Sequence, residues 1–549
     1  MTDRSLVSRP GRHGRGPIAR QGALPVFAAL MALAVAAPVI ALLFTSLGVA
    51  EGVGTLSHLV QTVLPGYVLT TAGLAIMVLA VSLSVGVGSA WLVASYDFPG
   101  RAFLAVLLVL PLAMPAYVMA YAYTDFLETT GPLQSALRAF TGWQVREYWF
   151  PDFRSTWGAG LFLGLALFPY VYLLSRAAFA ERPVSLDEAA RSLGQRPIGL
   201  WWRVVLPVAR PAIVAGSALV LMETLADFGV VNYFAVDSFT AGIYRSWLSL
   251  GDRTGAARLA IVLLAFIALL ALIERRQRGR MSFVQRAGRH PVRRRLAGAG
   301  ALGAVCACAA PALLGFVLPA GLLIWRWLGD GAAVDPRLPQ WLWNTVSLAL
   351  LGALATMTVG LLAAYAVRQA AGRGTRLAVA LALGGYALPG IVLGIGLLQV
   401  AGSVDRWLWQ PLAGQALMSG TVVALVWAYA VRFFAVAYQG LDAGLARIAR
   451  SMDDSARSLG RGPLAVLLEV HWPLLRRSLA LTGLLVMIEC LKELPATLVL
   501  RPFDTDTLAV VAFQFASDER LTQSALPSLM IVMVGVLPVL ALGRAALRE

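Results

Sequence analysis

The chain is almost without lysine: of its 45 basic residues, Lys492 alone is one. Charge of either sign is scarce. Asp, Glu, Lys and Arg make up 13% of the chain, against roughly 25% in a soluble domain, and 59% of the residues are hydrophobic. A water-soluble globule is excluded. Cysteine is nearly absent too. Cys306, Cys308 and Cys490 all fall inside apolar runs, with no CxxC pair and no histidine nearby. That excludes a disulfide framework and a thiolate metal site, and the three are expected as buried core residues. The four histidines, His13, His58, His290 and His471, show neither HxxxH nor HExxH spacing, so none is assigned to a metal. No GxxxxGK[ST] sequence occurs, so the chain lacks a phosphate loop of its own. A net charge of +16 would fit a nucleic-acid binder. Most arginines, however, sit in short loops between apolar runs, which is topology information rather than a nucleic-acid footprint.

What is present is a succession of apolar windows of about 20 residues, the length that spans a bilayer. Twelve are read: 24–47, 66–95, 102–127, 157–179, 211–231, 255–273, 298–326, 343–368, 376–402, 415–438, 478–500 and 526–546. They are continuously apolar rather than alternating, so helices and not a barrel are expected. The first window exceeds the 7–15 residues or so of a signal peptide core and reads as a retained span. Arginine asymmetry places both termini in the cytoplasm. The divisions expected are a basic tail 1–23, a first membrane half 24–273, a basic cytoplasmic linker 274–297 and a second half 298–549. The linker reads as a solvated tether touching anionic lipid.

The halves are related. Between 188–225 and 454–491, at a shift of 266, 13 of 38 positions are identical. They include Ala190 to Gly194 against Ala456 to Gly460, Pro207 against Pro473 and Glu223 against Glu489. Upstream the shift is 274: Thr71, Leu74, Ala75, Gly86 and Pro115 fall on Thr345, Leu348, Ala349, Gly360 and Pro389. The eight residues are lost outside, where 128–156 is long and 403–414 short. Six spans per half make the repeat parallel, with a two-fold axis along the membrane normal and a pathway at the interface.

The repeated segments, 186–209 and 452–475, face the cytoplasm in this topology. Asp187-Glu188 and Asp453-Asp454 put carboxylates at a helix N-terminus, where the macrodipole favours them. Ala189 and Ala190, and Ser455 and Ala456, allow close approach. Gly194 and Gly460 suit a left-handed helix stop. Pro197 and Pro463 suit the first turn of a second helix, and Pro207 and Pro473 are expected to end it. Each segment thus reads as a short elbow of helix, turn and amphipathic helix.

Glu188-Ala189-Ala190, three residues, Gly194, nine residues, Val204, one residue and Leu206-Pro207 resemble the cytoplasmic loop signature of bacterial ATP-binding-cassette importer permeases. The second copy departs from it with Asp454-Ser455-Ala456 and Trp472-Pro473. The chain also resembles, over nearly its whole length, fused two-half permeases of the ferric-ion importer group. Matching stretches are Asp97–Arg101, Leu110–Val118, Gly131–Gln134, Glu223–Gly229, Lys492–Thr497, Arg501–Phe503 and Ala516–Arg520. Related permeases carry thiamine, polyamines, sulfate or phosphonates. The resemblance implies an all-α integral membrane fold of about twelve transmembrane helices in two pseudo-symmetric parallel six-helix halves, like a type I importer permease, in a bacterial inner membrane. It implies coupling segments docked on two copies of an ATPase through Glu188, Ala189, Ala190, Gly194 and Pro207, and through Asp454, Ser455, Ala456, Gly460 and Pro473. A periplasmic substrate-binding protein and membrane lipid would be the other partners, and nucleic acid none. ATP and Mg would sit on the ATPase, with no cofactor, metal or catalytic residue on this chain.

Charges inside the membrane are costly and are functional candidates. Glu223 and Asp227 are four apart on the fifth window, and Glu489 and Glu493 four apart on the eleventh, so each pair is expected on one helix face. If those spans line the interface, four carboxylates converge near the axis, and such oxygen ligands suit a hard cation such as a ferric ion. The alternative is that Lys492 neutralises one carboxylate locally while the rest cap neighbouring helices. Pro111, Pro115 and Pro389 are expected to kink the third and ninth spans, for gating or for packing. A gradient-driven secondary transporter with twelve spans is the rival class, although it has no need of repeated elbows.

Overall fold

The computed structural model describes residues 23–47, 61, 63–145, 147–182, 184–195, 197–278, 293–329, 334–369, 372–414 and 416–548. The basic tail up to residue 22, linker residues 279–292, and His13, His58 and His290 lie outside them.

Backbone N–H groups in hydrocarbon must be paired within their own segment, and the apolar runs accordingly form helices. The first half contains Ala23–Leu47, Leu64–Ser95, Thr156–Ala180, Leu206–Ala226 and Arg253–Arg278. The second contains Gly298–Ala312 running through a π turn into Leu318–Gly329, then Leu338–Gln369, Gly390–Val404, Val422–Ala446, Trp472–Leu491 and Leu521–Arg548. Among the described residues, 10 helices are long and apolar enough to cross a membrane, or 11 when the bent pair Arg101–Ala113 and Ala116–Thr141 counts as one. The helix Trp472–Leu491 falls short of that test because it carries Arg476, Arg477 and Glu489.

Four expected spans are interrupted. The third and ninth are broken outright rather than kinked. Arg101–Leu107 passes through a 3-10 turn, Leu110–Ala113, before Ala116–Leu127 begins. In the second half, Arg373–Ala382 and the turn Leu383–Ala387 precede Gly390–Val404. Pro115 and Pro389 cap the new helices with extended ψ of 136° and 138°. A proline there has no N–H to leave unpaired, and it pushes the residue before it out of helical geometry. The bend across the first break is 93°. The fifth and eleventh spans do not run to 231 and 500. They stop at Ala226 and Leu491, and short helices Gly229–Tyr233 and Pro495–Leu500 follow.

The sequence halves interleave. The first helix of the chain packs on Arg373–Ala382 and Gly390–Val404 of the second half, and Gly298–Gly329 packs on the broken third span of the first. The tail of the linker is pinned as well: Arg294–Arg295 pairs in parallel with Tyr96–Asp97. Cys308 and Cys490 are buried, whereas Cys306 is exposed. The expectation of three core cysteines fails there, because Cys306 lies on the helix face turned away from the protein, where lipid serves as solvent.

Within each half the second and fourth spans make the most extensive contact. The repeat-equivalent glycines Gly86 and Gly360 permit it. A Cβ at Gly86 would come within 2.8 Å of Val171 Cβ, and one at Gly360 within 2.8 Å of Ala437 Cβ. Gly86→Val and Gly360→Val are each expected to cost about 1–3 kcal/mol through overpacking, read as a lowered thermal midpoint in detergent. Gly88→Val, with nothing within 4 Å of its Cβ, is the control that leaves the midpoint unchanged.

Candidate functional site

The two elbows form as expected up to the turn. The first has the helix Val184–Ser192, then Gly194 at φ 75°. The second has Arg450–Ser458, then Gly460 at φ 80°. A left-handed residue after the helix lets later N–H groups return to its last carbonyls: Gln195 donates to Ala190 at 3.0 Å and Arg461 to Ala456 at 3.1 Å. Glu188, Ala189, Asp454 and Ser455 are exposed, while Ala190 and Ala456 are buried. The sequence reading overlooked the residue beside each glycine. Leu193 is 80% exposed and Leu459 81%. An apolar side chain therefore projects from the tip of both elbows at the same repeat position, visible only as part of the shared Ala-Arg-Ser-Leu-Gly.

Pro207 and Pro473 do not end the second helix of the elbow. It continues without a break from 197 to 226, and in the other half from 463 to 491. A proline inside a helix cannot donate and clashes with the carbonyl four residues back. A π-helical turn precedes each one, Trp201–Val205 and Val466–His471. Through it Leu206 donates to the carbonyl of Trp201 and Trp472 to that of Leu467, five residues back. The widened turn absorbs the proline. Each elbow is thus continuous with the helix that carries Glu223 or Glu489.

Those helices end at a cavity of about 100 Å³ between the halves. Glu223, Asp227, Glu489, Lys492 and Glu493 all line it, as does Pro115. Pro389 is not among the lining residues, although its neighbour Gly390 packs against three of them, Arg432, Glu493 and Pro495. The expectation of two carboxylates on one continuous helix face needs correction. Asp227 and Glu493 lie beyond the helix ends, and their carboxylates cap the short helices that follow. Asp227 accepts from the N–H groups of Val230 and Val231 at 3.1 and 3.2 Å, and Glu493 from Ala496 at 3.0 Å. Glu223 accepts from the Tyr386 hydroxyl at 2.7 Å. Lys492 Nζ lies 2.9 Å from Glu489 Oε1. The local alternative therefore holds for Glu489, Asp227 and Glu493 but not for Glu223, which bonds a tyrosine and caps no helix, while the cavity still gathers all four carboxylates.

One charged residue of the cavity was missed. Arg432, a lone arginine within an apolar run, lies with Nε 3.2 Å from Glu493 Oε2. Its repeat position in the first half is Ala166. Gly390 makes room for the pair: a Cβ there would lie 2.4 Å from Arg432 Nη1 and 2.6 Å from Glu493 Oε1. Among the described residues no three His, Cys, Asp or Glu side chains come close enough together to hold a metal ion. The lining is a series of separate oxygen donors rather than a chelate.

Comparison with known proteins agrees with this geometry. Residues 82–282 match the model of the family described as binding-protein-dependent transport system inner membrane component. The molybdenum transport system permease protein ModB of Escherichia coli is 30% identical over 215 residues, 38% of this chain and 90% of that protein. The chain belongs to this permease family. The Fe(3+)-transport system permease protein FbpB 2 of Haemophilus influenzae is 25% identical over 475 residues, 85% of this chain and 87% of that one. The sulfate permease CysT of Salmonella typhimurium is 29% identical over 153 residues, 27% of this chain and 51% of that protein. A multi-pass inner-membrane transport subunit is thereby established, with no enzymatic chemistry implied by the family.

The permease holds its two elbows differently. In the second, buried Asp453 meets Arg368 Nε at 2.7 Å and His471 Nε2 at 3.1 Å. Arg368 also donates to the carbonyls of Leu445 and Ile448 at 2.5 and 3.0 Å. Tyr365 donates to the Pro463 carbonyl at 2.6 Å. The repeat positions of Arg368, Tyr365 and His471 are Ala94, Trp91 and Val205. In the first half Arg182 lies over the Trp91 ring instead, 5.2 Å from its centroid. His471 is fully buried in the helix, with Nε2 beside the Asp453 carboxylate of this anchor.

Removing one partner of a buried ion pair strands the other charge, at about 3–5 kcal/mol. Arg432→Met is therefore expected to lower the permease's denaturation midpoint sharply, and Glu493→Gln added to it to recover a substantial part. A double-mutant cycle on detergent-solubilised protein measures the coupling.

Proposed function

We propose that this permease is the membrane subunit of an ATP-driven, binding-protein-dependent importer and that its cargo is ferric iron. The observation that carries the first part is the pair of matched elbows, each with an exposed leucine at its tip and each continuous with a helix ending at the cavity. In this reading two ATPase subunits seat on Glu188, Ala189, Ala190, Gly194 and Leu193, and on Asp454, Ser455, Ala456, Gly460 and Leu459. The helices past Pro207 and Pro473 transmit their motion. ATP and Mg reside on the ATPase. The termini and elbows are cytoplasmic, in line with the arginine distribution, and a periplasmic binding protein delivers cargo to the outer loops, 128–156 and 232–253.

The ferric assignment draws on the acidic excess of the cavity, four carboxylates against Arg432 and Lys492, and on the ferric-transport name of a relative matched over most of both chains. Hard cations favour oxygen ligands. A second reading, an oxyanion cargo, is favoured by those same two cations on the wall and by relatives named for molybdenum and sulfate. Uptake of labelled ferric iron, molybdate and sulfate by cells expressing the complete transporter separates the two. Iron alone is expected to accumulate, in proportion to ATP supply. Uptake that persists without the ATPase would indicate a gradient-driven carrier instead.

Gly194→Asp disfavours the left-handed turn, and Leu193→Asp with Leu459→Asp puts charge on both tips. Each variant is expected to insert normally but to retain less than about a tenth of the ATPase in co-purification, the loss of roughly 1.4 kcal/mol or more of docking energy.

A further inference from the structure

Above the cavity, on the side away from the elbows, the chain runs through a column of aromatic rings. Tyr117 lines the cavity. Its ring centroid is 5.7 Å from that of Tyr121, which is 4.6 Å from that of Tyr233. The Arg154 guanidinium covers Tyr233 at 5.1 Å. Arg154 comes from the segment leading into the span Thr156–Ala180, at the end opposite the first elbow. It pairs with Glu128 of the same half and, at 3.4 Å, with Glu519 of the other. Glu519 holds a left-handed φ of 58° in the turn before the last helix. The column therefore connects the outer loops to the cavity, and an ion pair between halves closes its top.

The tyrosine hydroxyls are the unexplained part. Tyr117 is 5% exposed and Tyr121 2%. Neither hydroxyl has a hydrogen-bond partner among the described residues. A buried phenol without a partner loses its hydration and gains nothing in return, so phenylalanine would suit this state at least as well. Such groups are uncommon and call for a reason outside the resting contacts. Tyr117 and Asp227 line the same cavity wall, so the first phenol of the column adjoins the carboxylate lining. Gly229, whose Cβ would fall 2.7 Å from Tyr117 Cβ, keeps the short helix after Asp227 against the column.

We propose that Tyr117 and Tyr121 are cargo-contacting residues of the outer passage. Their oxygens serve as transient ligands for a hard, oxygen-seeking cation on its way to Asp227 and Glu223, and Tyr233 with Arg154 covers them between cycles. This rests on the reading of the cavity as the cation pathway. When the Arg154 contacts to Glu519 and Glu128 part, the ring stack loses its cover and the phenol oxygens gain a partner, the passing ion.

The test is Tyr117→Phe with Tyr121→Phe in the complete transporter, beside Glu223→Gln with Glu489→Gln. Ferric uptake, ATP turnover stimulated by loaded binding protein, and the permease's thermal midpoint are read for each. The phenylalanine pair keeps both rings and removes only oxygens without partners, so its midpoint should be unchanged or higher. Its iron uptake should fall by about tenfold or more, the scale of two lost polar contacts. Uptake within about twofold of the parent for the phenylalanine pair, while the glutamine pair is blocked, would overturn the phenol role and leave the cavity reading standing. Parental uptake in both pairs would remove the cavity reading and this one with it. A lowered midpoint in the phenylalanine pair would show the hydroxyls to be structural and overturn the proposal.

Discussion

Inside a bilayer a peptide N–H without an acceptor costs several kcal/mol, and the helix stops, breaks and elbow turns around the cavity of this permease are organised around that cost. Where the fifth and eleventh spans stop, the next helices need acceptors for their first N–H groups, and Asp227 and Glu493 supply them. Where the third and ninth spans break, Pro115 and Pro389 sit at the restart with no N–H to satisfy. Where Pro207 and Pro473 would interrupt a helix, a π turn passes the hydrogen bonds to a carbonyl one residue further back. Asp227 and Glu493 are thus held in place by backbone demands before any cargo arrives. Two of the four carboxylates spend part of their hydrogen-bonding capacity on helix caps, and Glu489 and Glu493 each lie beside a cation.

Much of this architecture was legible in the chain. Continuous apolar windows located the spans, and the collinear repeat located the elbows, their left-handed glycines and the equivalence of Pro115 with Pro389. What was not legible has a common physical cause. Hydropathy reports which segments avoid water and is silent on where a helix breaks inside an apolar run. The stops at Ala226 and Leu491 were therefore missed, although Asp227-Phe-Gly229 and Lys492-Glu-Leu-Pro495 contain cap and start residues. Proline was read as a stop because an isolated helix has no other answer to it, whereas a π turn is a matter of local geometry that composition does not reveal. Arg432 was visible as a lone charge among apolar residues, but its partner lies 61 positions away, and that distance is closed only by the packing of two helices. Tyr117 and Tyr121 showed helical spacing, yet nothing in the sequence tells an unpartnered hydroxyl from a satisfied one.

The repeat is symmetrical in plan and asymmetrical in energetics. Both elbows present a leucine. The second is tied to its half by Arg368, Asp453, His471 and Tyr365, and the first has alanine, tryptophan and valine at the positions of the arginine, tyrosine and histidine. The buried cation of the cavity also belongs to one half only, with Ala166 at the position of Arg432. A fused chain is free to diverge in this way, since each half meets the other in one fixed arrangement. Two separate copies of one gene product would have to carry the same residue at both positions.

The unbroken helices past Pro207 and Pro473 set the scale of any displacement they relay. Thirty residues, 197 to 226, make a rod of roughly 45 Å, so a pivot of about 5° sweeps one end by some ~4 Å relative to the other. Added to a contact of about 3 Å, that sweep carries a charged pair beyond the roughly 4 Å reach of an ion pair. A modest swing at one membrane surface is therefore enough to part a charged pair at the far end, with no residue along the shaft having to unwind.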